Sequence, residues 1–317
     1  MKKNKYIFLF FIFLFTTGYG IKIDRAILST NGNPLYANFW PLVAKAWKNM
    51  GIRPTLALIE DRENIQIDES LGDVIRFKPI EGVSPGWMSM VIRLLLPVYF
   101  EDDVCIISDI DMLPLNKKYF MDDVAQYPED SFVVYRDDVY KGIKRIPMCY
   151  NAAKGKIFKE IFKVHSVEDI PVIIKEWADI WNQKISTDEE MLAICLEGWD
   201  GYETRCIKLV DKVNAGTRID RVDWGYEKEI LKRGDYYIDS HMLRPYSAYR
   251  DEIDELATCI GVYMDKEDIS IQNKINFYAM ILFLSLFFIF FIFLAFIILK
   301  KIINVRRRKI SHLDRKK

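Results

Sequence analysis

Histidine is scarce in this chain: only His165, His241 and His312 occur in 317 residues. A histidine-rich metal cluster is therefore excluded, and any imidazole ligand must be one of these three. The five cysteines are too few and too scattered for a disulfide scaffold or a zinc ribbon. Cys195 and Cys206 stand close enough to close a loop in an oxidising compartment, whereas Cys105, inside an apolar run, reads as a small core residue. No Asn-x-Ser/Thr acceptor is present, so glycosylation gives no information about the compartment. Internal repeats and Pro- or Ser-rich linkers are also missing, which favours one domain over several in the central region.

Net charge is zero as well, but only as an average. The chain carries 45 basic and 45 acidic residues. Three basic residues precede Ile21, and nine basic residues with one acidic residue follow Leu299. The segment between keeps 33 basic against 44 acidic residues, a net of −11. A domain that acidic is a poor partner for nucleic acid, whose affinity comes largely from Lys and Arg on phosphates.

What is abundant is apolar sequence at the two ends. Lys2, Lys3 and Lys5 precede the run from Tyr6 to Phe15, which small residues follow. That order predicts a secretory signal peptide over 1–20, with an uncleaved signal anchor as the alternative. The stretch 275–299 is almost wholly apolar and long enough to cross a bilayer. The basic tail 300–317 then belongs in the cytosol by the positive-inside rule. The expected topology is single-pass type I, with 21–250 as a lumenal or extracellular domain and 251–274 as a juxtamembrane stem.

Inside that domain, strand-like and helix-like segments alternate. Strands are predicted at Arg25–Ser29, Pro54–Ile59, Asp73–Phe77, Val104–Ile107, Ser131–Tyr135 and Tyr236–Asp239. Helices are predicted at Tyr36–Met50, Gly86–Phe100, Lys154–Phe162, Val172–Trp181 and Thr187–Leu196. This rhythm implies an α/β fold with a mostly parallel central sheet flanked by helices.

The sharpest chemical signal is VCIISDIDMLPL, residues 104–115. A short buried-type strand ends in Asp109 and Asp111, and ligands in open α/β sheets bind at that carboxyl end. Two carboxylates there suit a hard divalent cation such as Mn²⁺ or Mg²⁺, which keeps positions open for substrate phosphates. Two solvated acids beginning a turn are the alternative.

The surrounding block, MSMVIRLLLPVYFEDDVCIISDIDMLPLNKKYF, resembles the central block of the glycogenin-like retaining enzymes of glycosyltransferase family 8, which have a GT-A fold. The matching residues are the signature Arg93-Leu94-Leu95-Leu96-Pro97 and the D-x-D acids Asp109 and Asp111. Asn151-Ala152, Thr187-Asp188-Glu189-Glu190 and Ser240-His241-x-x-Arg244-Pro245 follow in family order. The likeness spans roughly residues 25–250 and is sharp only in the central block.

The resemblance implies a metal-dependent transfer of sugar from a nucleotide-sugar donor, of the UDP-sugar type, to a hydroxyl of a glycan, glycoprotein or glycolipid, with retention. It implies Asp109, Asp111 and His241 as metal ligands, although a structural histidine is the alternative at 241. Arg93 and Arg244 become donor-phosphate contacts, and Asn33 and Tyr36 lie where the family holds the nucleotide base. Tyr36 is equally readable as a core aromatic. Asn151 falls on the acceptor side. Arg218 and Arg221 are candidates for diphosphate or acceptor contact, or else a surface ion-pair cluster with Asp220 and Asp223.

Two departures from the family pattern bear on mechanism. Ala153 replaces a frequent glycine, and Glu189 replaces an amide. Asp188 and Glu189 thereby become candidate catalytic residues, and a base-assisted inverting route stays open. Two other classes compete: a non-catalytic, membrane-anchored sugar-binding module, and a HAD-type phosphatase. The phosphatase motif needs a small hydroxyl or β-branched residue two places after the second Asp, where Leu113 stands.

Overall fold

The short β-branched runs form strands because their side chains can be buried on both faces of a sheet. The computed structural model describes residues 20–264 apart from 64, 141 and 211–216. Its strands are β1 (Arg25–Asn31), β2 (Arg53–Ile59), β3 (Asp73–Phe77), β4 (Val104–Ile107), β5 (Met112–Pro114), β6 (Phe132–Val134), β7 (Asn151–Lys154), β8 (Cys206–Lys208), β9 (Arg218–Ile219) and β10 (Asp239–His241). Seven form one sheet in the order β3-β2-β1-β4-β7-β6-β8, and β5-β10-β9 form a second. In the large sheet β7 alone runs against the others. The expected mixed α/β architecture with a mostly parallel central sheet is what the chain forms.

The helices are α1 (Pro34–Ala37), α2 (Trp40–Asn49), α3 (Pro85–Leu95), α4 (Gly155–Phe162), α5 (Ile170–Trp181), α6 (Thr187–Glu197), α7 (Tyr202–Arg205), α8 (Lys228–Arg233) and α9 (Arg250–Cys259). Successive strand residues face opposite sides, so each face of the large sheet collects its own core. Ile27, Ala57, Ile107 and Val134 pack with buried residues of α3, α4, α5 and α6. Elsewhere Trp47 of α2 meets Phe120 and Tyr150 edge-on, at centroid distances of 5.2 and 6.3 Å. Such pairs contribute about 0.5–1.5 kcal/mol each beyond area burial.

Several boundaries differ from expectation for identifiable reasons. The helix predicted over Tyr36–Met50 is two helices, because Pro41 sits in the first turn of α2 and cannot continue α1. The helix predicted to reach Phe100 stops at Leu95. Pro97 removes a backbone donor, and Leu96–Phe100 tightens into a 3₁₀ turn. Gly155 packs so close to that turn that a Cβ would lie 2.2 Å from the Phe100 carbonyl oxygen. The late strand lies at Asp239–His241 rather than Tyr236–Asp239, since its register is set by pairing with β5 and β9.

The first half of the expected stem is instead α9, which buries Ile253, Leu256 and Ala257. Asn49 and Lys45 donate to the carbonyls of Gly261 and Tyr263, and the compact unit reaches Tyr263. Cys195 and Cys206 are free thiols, so the expected loop closure is not formed. The expected signal segment, apart from Gly20, and the expected span 275–299 with its tail lie outside the described residues. Among the described residues no helix is long and apolar enough to cross a membrane.

Candidate functional site

The D-x-D lies where the chain leaves one sheet for the other. β4 ends at Ile107, the turn at Ser108–Asp111 carries both acids, and Met112 opens β5 in the small sheet. β10 pairs with β5 so that His241 stands opposite Met112, and the Met242 amide donates to the Asp111 carbonyl at 3.0 Å. β9 lies on the far side of β10, with Arg218 level with Asp239. Three segments distant in sequence thus meet at the carboxyl end of β4.

The two acids have different surroundings. Asp109 takes an ion pair from Arg93, whose other Nη donates to Asp188 of α6 at 3.0 Å. Asp111 Oδ2 lies 2.7 Å from Arg221 Nη2, 3.6 Å from Arg244 Nη1 and 3.7 Å from His241 Nε2. Burial opposes charge on Asp109, but Arg93 outweighs it and holds that carboxyl below its usual range. Burial and the charge of Asp109 push Asp111 above its usual range, against the pull of His241 and Arg244. Neighbouring groups set apart in this way are a recurrent property of reactive sites.

A cavity of about 400 Å³ opens beside the acids. It is lined by Arg93, Asp109, Asp188, Glu189, Arg218 and His241 among the residues singled out from sequence. Asp111 lies beside His241 of that lining, and Arg244 and Tyr36 are linked to Asp111 rather than lining the cavity. The Arg244 guanidinium donates to the Tyr36 hydroxyl at 2.5 Å and lies 5.0 Å from the centre of its ring. Arg218 pairs with buried Asp239 rather than with Asp220 or Asp223. Asn33 caps α1 by accepting from the Leu35 amide. Asn151 is fully buried opposite Ile107 of β4 and donates to the Pro147 carbonyl at 2.7 Å. His165 is placed apart, on the turn before α5, where its backbone amide donates to Asp169.

Sequence reasoning missed the segment 135–150, which connects β6 to β7 and contributes Arg136, Tyr140, Arg145 and Cys149 to the cavity wall. The Tyr140 hydroxyl donates to Glu189 Oε1 at 2.7 Å, and Arg145 donates to Glu190. Burial raises the Glu189 carboxyl above the usual range, while the Tyr140 bond works against that shift. Asp220 was considered only as an ion-pair partner of the arginines. Its Oδ2 is 3.5 Å from His241 Nδ1, on the ring nitrogen opposite the one nearer Asp111. A dense run of charged and aromatic residues before MCYNAA was the available signal for 135–150, but no periodicity fixes where such a segment lies.

The donor set fits a hard divalent cation in kind, with a carboxylate oxygen and an imidazole nitrogen at one point. The Asp220 carboxylate, near the other ring nitrogen, would fix that imidazole, as outer partners of metal-bound histidines do. Among the described residues no three His, Cys, Asp or Glu side chains converge as a ready ligand set, because Asp109 is drawn to Arg93. Two protein ligands nevertheless suffice for an ion that takes its remaining oxygens from phosphate and water.

No family model matches the chain, and no curated protein does. Among solved structures, the galactosyltransferase LgtC in complex with donor and acceptor sugar analogs is similar at 13% identity. That match covers 77% of this chain and 98% of LgtC, with a TM-score of 0.43. The glycosyltransferase GlyE of Streptococcus pneumoniae TIGR4 is similar at 13% identity over 59% of this chain, with a TM-score of 0.38. The match spans 46% of GlyE, about half its length. A putative glucose-1-phosphate thymidylyltransferase from Bacillus anthracis, in complex with a sucrose, is similar at 10% identity, covering 58% of this chain and 85% of that one, with a TM-score of 0.34.

Proposed function

We propose that the protein is a glycosyltransferase that moves a sugar from a nucleotide-sugar donor, of the UDP-sugar type, to an acceptor hydroxyl with retention. One observation carries the proposal. The small sheet gathers an acid pair, an imidazole and two guanidinium groups that share one carboxylate oxygen at the carboxyl end of β4, beside a cavity. Departure of a nucleoside diphosphate is stabilised by such a combination of anion-binding cations and hard-metal ligands. Asp111 and His241 would hold Mn²⁺ or Mg²⁺, with Asp109 reaching it through water. The ion, when bound, supplies Lewis-acid stabilisation of the leaving diphosphate.

The chain's own residues do the remaining work. Arg221 and Arg244 are placed to receive phosphate oxygens, because guanidinium groups recognise them with paired N–H donors. Tyr36 offers an aromatic edge beside Arg244 for the base, and Asn33 fixes the turn that presents it. Arg93 positions Asp109 and Asp188 by bridging them. Glu189, held by Tyr140 on the cavity wall, lies on the acceptor side, where its carboxylate would face the anomeric carbon; drawing the hydroxyl proton would be its role only in the inverting route. Arg218 lines the acceptor side, and Asn151, buried on β7, supports it by donating to the carbonyl of Pro147 in the cavity wall. The acceptor is a glycan, glycoprotein or glycolipid, and residues 275–299 anchor the enzyme as a type I membrane protein with a lumenal catalytic domain.

The decisive experiment is a screen of nucleotide sugars with Mn²⁺ for hydrolysis and transfer, with the product anomer read by proton NMR. Turnover of one donor, lost in Asp111→Asn, is the expected result. A protein that turns over none while binding free sugars would be a non-catalytic module. Protease added to intact microsomes should trim only 300–317, and digestion of the whole domain would overturn the orientation.

A further inference from the structure

The arginines of this domain divide by how fully their donors are used. Arg93 donates from Nε to the Met90 carbonyl, from Nη1 to Asp109 and from Nη2 to Asp188. Arg218 uses Nε and Nη2 on Asp239. Arg221 is different. Its Nη2 reaches Asp111, while its Nε and Nη1 are buried with no hydrogen-bond acceptor among the described residues. Its side chain is only 15% exposed. A buried donor left unmet costs about 1–3 kcal/mol, so this guanidinium is poorly satisfied where it lies.

The residues around Arg221 allow it to leave. It sits between β9 and α8, next to Val222, which is 90% exposed, and Asp223, which is also exposed. The oxygen it holds, Asp111 Oδ2, is the one nearest His241 Nε2. A divalent cation using that oxygen and a guanidinium 2.7 Å from it compete for the same lone pairs and repel each other.

Resting on the metal proposal above, we infer that Arg221 is an exchangeable counter-cation. In the free protein it neutralises Asp111. When a divalent cation takes the carboxylate, Arg221 is released, and its unused Nε and Nη1 donors serve the diphosphate that arrives with the ion. One residue thereby weakens metal binding alone and strengthens nucleotide binding once metal is present. An arginine that merely stabilised the fold would do neither.

The test measures free Mn²⁺ by electron paramagnetic resonance with the detergent-solubilised full-length chain, first without nucleotide and then with UDP. Arg221→Gln should bind Mn²⁺ about tenfold more tightly than wild type, the change that accompanies about 1.4 kcal/mol. The same variant, saturated with Mn²⁺, should bind UDP about tenfold more weakly. Arg221→Lys should stay close to wild type in Mn²⁺ affinity. Arg221→Met, which keeps the apolar stem, repeats both measurements should the Gln variant fail to fold. Mn²⁺ affinity that is unchanged or weaker in both neutral variants, with binding still lost in Asp111→Asn, would overturn the exchange and leave the metal proposal standing. Wild-type Mn²⁺ binding in Asp111→Asn would overturn the metal proposal and the exchange with it.

Discussion

At the amino-terminal edge of the main sheet, Arg25 directs its guanidinium to Thr55 at 2.7 Å, to Asp103 at 2.9 Å and to Asp73, and lies 3.7 Å from the centre of the Phe100 ring. At the opposite edge, Arg221 and Arg244 share one oxygen of Asp111, and Arg221 leaves two buried donors unmet. Both edges bury positive charge, yet the second leaves one of its guanidinium groups, that of Arg221, partly unmet. A saturated cluster fixes strands β1, β2, β3 and β4 relative to one another. An unsaturated one keeps binding capacity in reserve for a ligand, and that difference separates framework from site.

The sharpest way to break this contrast is to remove a charge from each edge. Asp111→Asn should lower transfer by about 10³-fold, near the upper range for losing a main electrostatic group, while its thermal midpoint stays close to wild type. Steady-state turnover and a melting curve on the same preparation check it. Arg25→Met should do the reverse, costing about 3 kcal/mol in urea unfolding, below the limit for a fully buried pair because Asp73 and Asp103 are about one-third exposed. Turnover per folded molecule should be unchanged. Loss of turnover in folded Arg25→Met would show that the two edges are not independent.

Tyr140→Phe sharpens the contrast within the site edge. The Tyr140 bond lowers the Glu189 carboxyl, which burial has raised above the ordinary 4.5. Removing the bond should therefore move the acid limb of the pH–rate profile to higher pH, and a shift toward lower pH would refute the assignment. The smallest effect is expected at Glu190, held down to about 2 by Lys184, Ser186 and Arg145. Its contribution to stability is complete above the ordinary glutamate value and is lost as pH falls toward about 2. Glu190→Gln should flatten stability between those limits, measured by chemical unfolding at a series of pH values.

Most of the framework was legible in sequence because its strands carry strong local signals. Asp73–Phe77 and Val104–Ile107 coincide with their expected bounds, and β1 and β2 begin or end within two residues of them. The small sheet was not legible. Met112–Pro114 and Arg218–Ile219 are too short to show alternation, and they become strands only because β10 lies between them. The candidate residues Asp109, Asp111 and His241 could be named from spacing and scarcity. Their counter-cations could not be assigned, since Arg218 and Arg221 look equivalent in TRIDRVDW and differ only in which carboxylate each one meets. Tyr140 lay in a segment without periodicity.

The reversed direction of β7 has a consequence for how such a protein can change. β6 ends at Val134 and β7 begins at Asn151, and both termini lie level with the end of β4. The segment joining them therefore leaves the sheet and re-enters it on the same rim, next to the cavity. Lengthening, shortening or exchanging that segment alters no strand pairing. The wall of the cavity can thus drift, or be engineered by exchanging residues 135–150, while the pairing of the strands is inherited intact.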